Sequence, residues 1–182
     1  MVQLLTVILM SLTSIALAEE VQESTRGFGL ALNSGLNGEV YPMRLILTAL
    51  YSTEHTQFGF GIGFHPFIHK DQRIFSGELN YKLFPNGMVK KVNMFFLFGL
   101  DYISNQRDTF YPTTYHYLFF NAGHGFQISP FPGAFLGTSV NYGIFTYRKD
   151  SDNPAASYLN ARTLFKEFGY SLGFEFSLGY RF

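Results

Sequence analysis

The chain has 182 residues, 13 acidic and 13 basic side chains, and neither cysteine nor tryptophan. Without cysteine it holds no disulfide, thiolate metal site or thiol nucleophile, and a formal charge of zero leaves no electrostatic footprint for nucleic acid. The length suits one domain behind a targeting peptide, but 22 Phe, 12 Tyr and 18 Gly against 14% charged residues is an odd balance for a small soluble domain.

The first element is apolar from Leu4 to Ala18, interrupted by Thr6, Ser11, Thr13 and Ser14, and it closes on Ala16-Leu17-Ala18 before Glu19 and Glu20. Small residues at the third and first positions before a polar stretch are what signal peptidase requires. Residues 1–18 therefore read as a signal peptide, 19–26 as a short periplasmic segment and 27–182 as the folded domain. About fifteen apolar residues fall short of the roughly 20 that a spanning helix needs. Later apolar stretches are broken within a few residues by Gly, Asn or a charge.

Those breaks have a period of two. Phe28, Leu30 and Leu32 alternate with Gly29, Ala31 and Asn33. Tyr41, Met43, Leu45, Leu47, Ala49 and Tyr51 share a face opposite Arg44 and Thr48. Phe58, Phe60, Ile62 and Phe64 alternate with Gly59, Gly61, Gly63 and His65, and Leu79, Tyr81 and Leu83 with Glu78, Asn80 and Lys82. Met94, Phe96, Phe98, Leu100 and Tyr102 oppose Asn93, Gly99 and Asp101, although Phe95 and Leu97 blur that strand. Leu118, Phe120, Ala122, Phe126 and Ile128 oppose Asn121, Gly123, Gly125 and Gln127; Leu136, Val140, Tyr142 and Ile144 oppose Gly137, Ser139, Asn141 and Gly143. From Phe168 to Phe182 every even position is large and apolar or aromatic and no odd position is. A helix would mix the two sets around its circumference, whereas a strand sorts them onto opposite faces. The pattern predicts eight strands, most of about 10 residues or more, the length that crosses a bilayer at a tilt.

Asn37-Gly38, Asn86-Gly87 and Pro130-Phe131-Pro132-Gly133 carry turn chemistry. With the amino terminus on the periplasmic side, the connections 104–114 and 147–166 face outward and are the longest, while those near Ser52, Asn86 and Pro130 are short. Long outer loops over short inner turns describe outer-membrane barrels. Volume decides which face looks outward. The lumen of an eight-stranded barrel is only just wide enough for side chains to fill it, and so many Phe, Tyr and Leu do not fit there. They are expected on the lipid side, with Gly, Ser, Asn and a few charges inside. A secreted lipocalin-like barrel would need the reverse. In lipid an open sheet edge would leave backbone groups unpaired, so closure is forced.

The segment 27–182 resembles the small eight-stranded outer-membrane β-barrel proteins of Gram-negative bacteria, the OmpA- and OmpX-like type. The resemblance rests on the leader, the strand pattern and the ending Leu178-Gly179-Tyr180-Arg181-Phe182. It implies an all-β, antiparallel, up-and-down transmembrane barrel behind a signal peptide, integral to the bacterial outer membrane. It also implies that Phe176, Leu178, Tyr180 and Phe182 form the signal read by the outer-membrane assembly machinery, with periplasmic chaperones on the route. The absence of Trp departs from the interfacial girdles of such proteins; Tyr41, Tyr51, Tyr81, Tyr102, Tyr142, Tyr170 and Tyr180 stand near strand ends and can serve instead.

The expected lumen carries Arg44, His65, Glu78, Lys82, Asp101, Glu175 and Arg181. Ionisable groups at membrane depth are costly without partners. Leaving out His65, three acids face three bases, as a self-neutralising plug requires; a narrow gated pore through the same network is the alternative. Barrels of the resembling kind also include enzymes that remove or transfer acyl chains on lipid A, which need a Ser activated by His and oriented by an acid. The positions two beyond each His are Gln57, Phe67, Asp71, Leu118 and Phe126, so the His-x-Ser element is absent. His69, Asp71, Ser76 and Asp108 lie in or near outer loops, without a spacing that favours catalysis. His124 falls on the lipid face unless the register slips after Ala122. No His or carboxylate pair has a metal-ligand spacing. Gly59, Gly61 and Gly63 read as packing space inside a strand. The expectation is a barrel without catalytic residues, cofactor or metal. Its expected partners are membrane lipid and lipopolysaccharide, with residues 104–114 and 147–166 as the candidate site for a surface ligand.

Overall fold

A computed structural model describes residues 26–37, 41–65, 72–108, 110–151 and 164–182. The leader, most of the last connection, His69 and Asp71 lie outside them. Among the described residues the elements are eight strands: β1 Gly27–Asn37, β2 Tyr41–Ser52, β3 Thr56–Phe64, β4 Gln72–Leu83, β5 Val92–Arg107, β6 Thr113–Phe131, β7 Ala134–Ser151 and β8 Gly169–Arg181. Each pairs antiparallel with its sequence neighbour, and β8 pairs with β1, so the sheet closes. The up-and-down barrel expected from the alternation is present.

The registers set its shape. Partners followed from Gly27 run through Ser52, Gln57, Lys82, Leu97, Gly123, Asn141 and Gly173 and return to β1 at Asn37. Ten residues separate start and finish, and that stagger makes the strands of a closed sheet tilt by roughly 35–45°. The starts of β1 and β3 and the ends of β2, β4 and β8 lie at one end, termed here the terminal end. The opposite rim is the far end.

The two faces sort as predicted. Along β3, Phe58, Phe60, Ile62 and Phe64 are exposed on the outer wall while Gln57, Gly59, Gly61 and Gly63 are buried. Glycine is needed there because β2 and β4 send side chains across the same space. A Cβ on Gly61 would come within 2.6 Å of Ile46 Cγ2, and one on Gly63 within 2.8 Å of Ile46 Cγ1.

Several boundaries differ from the sequence reading. Residues 104–107 and 147–151 are strand, not loop, so the connections expected at 104–114 and 147–166 begin later. Pro130 and Phe131 end β6, and the turn is Pro132-Gly133 with Gly133 at φ 77°. Because β7 runs up to Ser151, Tyr142 stands mid-strand and not near an end. The register of β6 is unbroken from Thr113 to Ile128, so His124 does face outward, its ring 6.1 Å from that of Tyr142. Just before β8, the Phe165 N–H donates to Thr146 Oγ1 of β7 at 2.8 Å.

Overpacking the β3 glycine face has a defined cost. Gly61→Leu is expected to lower the unfolding free energy of the lipid-reconstituted barrel by about 1–3 kcal/mol or more, read as a fall in the urea midpoint. Gly77→Ala, on the outer wall with nothing near its Cβ, should leave the midpoint in place.

Candidate functional site

The lumen is filled in three tiers. At the terminal end the β4–β5 connection turns inward: Phe84 and Met88 are buried and pack with Phe95 and Leu97. This stopper is pinned to the β2–β3 turn by Phe84 N–H to His55 O at 2.7 Å and Met88 N–H to Glu54 O at 3.0 Å, and Gly87 takes the φ of 71° that reverses the chain. Ala31, Leu50 and Phe135 form a second apolar cluster at the same end. At the far end Ile74, Ile103 and Phe119 pack under Tyr117 and Phe145.

Between these apolar tiers lies an ionic core. Lys82 Nζ is 3.3 Å from Glu175 Oε1, with side chains only 5% and 8% exposed. The Lys82 ammonium also lies 4.9 Å from the Phe95 ring centroid, which ties the core to the stopper. Arg44 Nη2 is 3.8 Å from Asp101 Oδ2, and the same carboxylate oxygen accepts from Asn121 Nδ2 at 3.0 Å. Glu78 is cross-strand partner to Asp101 and accepts from Asn80 Nδ2 at 2.5 Å. A cavity of about 30 Å³, enough to admit water, remains among Arg44, Glu78, Asp101, Asn121, Asn141 and Glu175.

Four of the seven expected lumen residues thus form two ion pairs, and Glu78 joins through an amide. The other two are displaced from the core. His65 stands just past β3 at the far rim, half-buried. Arg181 lies at the terminal end, its guanidinium 4.6 Å from the Phe135 ring. The balance of three acids against three bases is therefore not met by three ion pairs: the third base is spent on an aromatic face, and the third acid is held by Asn80. Of the residues considered for acyl chemistry, Ser76 is buried facing the lumen and Asp108 pairs with Arg73 at 3.6 Å. Phe176, Leu178, Tyr180 and Phe182 form an exposed outward row on and just past β8.

The outer wall carries a belt with sharp limits. On β8 the outward aromatic row runs from Tyr180 to Tyr170, ten residues apart. At the strand rise and tilt this is about 25 Å, the height of the apolar band on barrels that cross a bilayer. Above it the pattern inverts. Outward positions change from Leu100 and Tyr102 to Ser104 and Gln106 on β5, from Leu118 to His116 and Thr114 on β6, and from Ile144 to Thr146, Arg148 and Asp150 on β7. Inward positions there are Tyr115, Tyr117, Phe145 and Tyr147. Once the stagger is allowed for, the changes lie at one level. The far parts of β5, β6 and β7 therefore stand beyond the belt as a raised wall.

On the outer side of that wall Tyr102 Oη is 2.7 Å from His116 Nδ1, and His116 Nε2 is 3.4 Å from Asp150 Oδ2. Arg148 Nε donates to Asp150 Oδ1 at 2.8 Å. The order of hydroxyl, imidazole and carboxylate imitates a hydrolase relay, but the hydroxyl is a phenol exposed on the outer wall. Sequence reading missed this chain because it links three strands.

No protein-family model and no curated protein matches the chain. Among solved structures it is similar to the N-terminal β-barrel domain of OprF from Pseudomonas aeruginosa. The two superpose with a TM-score of 0.53 over 87% of this chain and all of that one, at 12% identity. The chain has the fold of the small OmpA-like barrels. At that identity the likeness concerns backbone architecture alone.

Two substitutions probe the tiers and the belt. Lys82→Met leaves Glu175 buried without its cation and should cost about 3–5 kcal/mol in urea unfolding from vesicles, whereas Lys82→Met with Glu175→Gln should recover most of that. Leu79→Arg, at mid-belt, should cost about 2–4 kcal/mol in the same assay, and Gln106→Arg above the belt should stay within about 0.5 kcal/mol of the parent.

Proposed function

We propose that the protein is an integral barrel of a bacterial outer membrane that performs no chemistry. Its lumen is plugged, and its far rim, exposed outside the cell, makes contact with surface ligands. The observation that carries this reading is the order of the lumen tiers. A path for ions has to cross the Phe84, Met88 and Phe95 stopper, a core of buried ion pairs, and the Ile74, Ile103 and Phe119 tier. Buried Ser52, Gln57, Asn93 and Gln127 share the terminal end with the stopper, and Ser76 and Asn105 share the far tier. It is the close packing of the apolar side chains in each tier that obstructs a hydrated path. The belt supports residence among membrane lipid and lipopolysaccharide. The outward row Phe176, Leu178, Tyr180 and Phe182 is the surface offered to the assembly machinery after delivery by periplasmic chaperones.

Surface contact belongs to the raised wall and the connections it carries, residues 108–112 and 152–168, since binding groups on connections over a rigid scaffold are the usual arrangement. The relay of Tyr102, His116 and Asp150 serves as a hydrogen-bonded girdle at the upper belt limit, where tyrosine is favoured.

Planar-bilayer recording of the detergent-folded barrel should show no steady conductance above the lipid baseline. A reproducible open level would replace the plug by a pore. The lipid A mass spectrum of a heterologous Gram-negative host making the protein should be unchanged; a new or missing acyl mass, lost again in His116→Asn, would establish the lipid-modifying alternative.

A further inference from the structure

On the inner side of the raised wall, Arg107 of β5, Tyr115 of β6 and Lys149 of β7 come together. Tyr115 pairs with Lys149 across one strand boundary and with Asn105 across the other, which puts Arg107 one diagonal away. The Arg107 guanidinium carbon is 5.1 Å and the Lys149 ammonium 5.9 Å from the centroid of the Tyr115 ring. Two cations are thus held against one ring, and among the described residues no carboxylate forms an ion pair with either. The acids of this rim are engaged elsewhere: Asp108 with Arg73 at 3.6 Å, and Asp150 with Arg148 and His116 on the outer side of the wall. Among the described residues Asp108 and Asp150 therefore lie on the outer side of the sheet with Arg73, Arg148 and His116. The inner side carries the cations Arg107 and Lys149. Arg107 Nε is shielded from solvent without a hydrogen-bond partner among these residues. Tyr117 and Tyr147 continue the aromatic face, their rings 5.4 Å apart.

We infer that this inner face binds an anionic saccharide, with a phosphate or carboxylate group between Arg107 and Lys149. The inference rests on the reading of the far rim as the cell-exposed contact surface. Guanidinium offers two parallel donors to such an anion, and lysine adds a mobile point charge. The Tyr115 hydroxyl supplies a further donor, and the flat tyrosine faces suit the C–H surface of a sugar ring. Nucleic acid is disfavoured, because it calls for a basic stripe that tracks a phosphate backbone, whereas here two cations stand on a chain of zero formal charge. The same chemistry is offered by the glycolipid of the surrounding membrane and by free acidic polysaccharide.

The test titrates the folded full barrel with an oligouronic acid, with lipopolysaccharide in mixed micelles, with neutral dextran and with a single-stranded oligonucleotide. Tyrosine fluorescence and calorimetry report binding. Either acidic saccharide should bind, more weakly at high salt, and dextran should not. The Arg107→Gln, Lys149→Gln double variant should lose at least tenfold in affinity while keeping its heat-modifiable gel mobility, and Arg148→Gln on the outer side should stay within twofold. Binding of lipopolysaccharide alone would assign the glycolipid source; binding of the oligouronic acid alone would assign the free one. Equal affinity in the double variant, no acidic saccharide bound, or tighter binding of the oligonucleotide would each overturn the inference. Lys149→Cys labelling on whole cells by an impermeant maleimide separates the two readings. Labelling without saccharide binding overturns the inference alone, whereas absence of labelling overturns the reading of an exposed far rim beneath it.

Discussion

Everything in this barrel follows from the narrowness of its lumen. Eight strands closing with a stagger of ten residues leave room for about one layer of inward side chains. Large side chains cannot alternate with large ones, so one face of every strand must be small or shared. Gly59, Gly61 and Gly63 meet that condition on β3 by yielding their space to Ile46, Thr48 and Asn80. The aromatic residues displaced from the interior become the outer wall. A wall of Phe, Leu and Tyr is tolerable only in an apolar solvent, and so the packing limit inside dictates the environment outside.

The same limit explains why the ionic core is built as it is. Buried charges cost several kcal/mol each when unpaired, and a cavity of about 30 Å³ lies among these groups. The two ion pairs link strands far apart in sequence: Arg44 on β2 to Asp101 on β5, and Lys82 on β4 to Glu175 on β8. Each spans the lumen and not a neighbouring ladder, so each ties opposite walls of the barrel together. Apolar tiers above and below keep water from competing with those pairs, and the Lys82 contact with Phe95 couples the core to the lower tier.

The period of two made the strands, the closure and the two faces legible, because every residue between Phe168 and Phe182 obeys it. The members of the ionic core were legible too, as charged residues at inward positions within the apolar belt. Their partners were not. Pairing across a lumen depends on registers summed over several strands, and nothing local assigns Glu175 to Lys82 or leaves Arg181 on Phe135. The Phe84 and Met88 stopper was hidden because its neighbours Asn86 and Gly87 advertise a turn, and a turn does not state whether it points inward. Residues 104–107 and 147–151 were mistaken for loop because alternation there is inverted. Outward Ser104, Gln106, Arg148 and Asp150 look like solvated loop when the outward face is assumed to be apolar.

That inversion is itself informative. A strand pattern with aromatic residues outward below one level and inward above it has two solvents along its length, and the level of the change marks the boundary between them. Below it the outer wall must be apolar and the lumen bears the polar residues. Above it water covers the outside, so apolar packing moves to the inner side, where Tyr115, Tyr117 and Tyr147 stack. The cations Arg107 and Lys149 can stand on that inner side because their ring contacts with Tyr115 replace part of the hydration lost there. A sheet that changes its outward chemistry at one level therefore carries cations and aromatic rings on the same face that bears the ionic core a few residues lower.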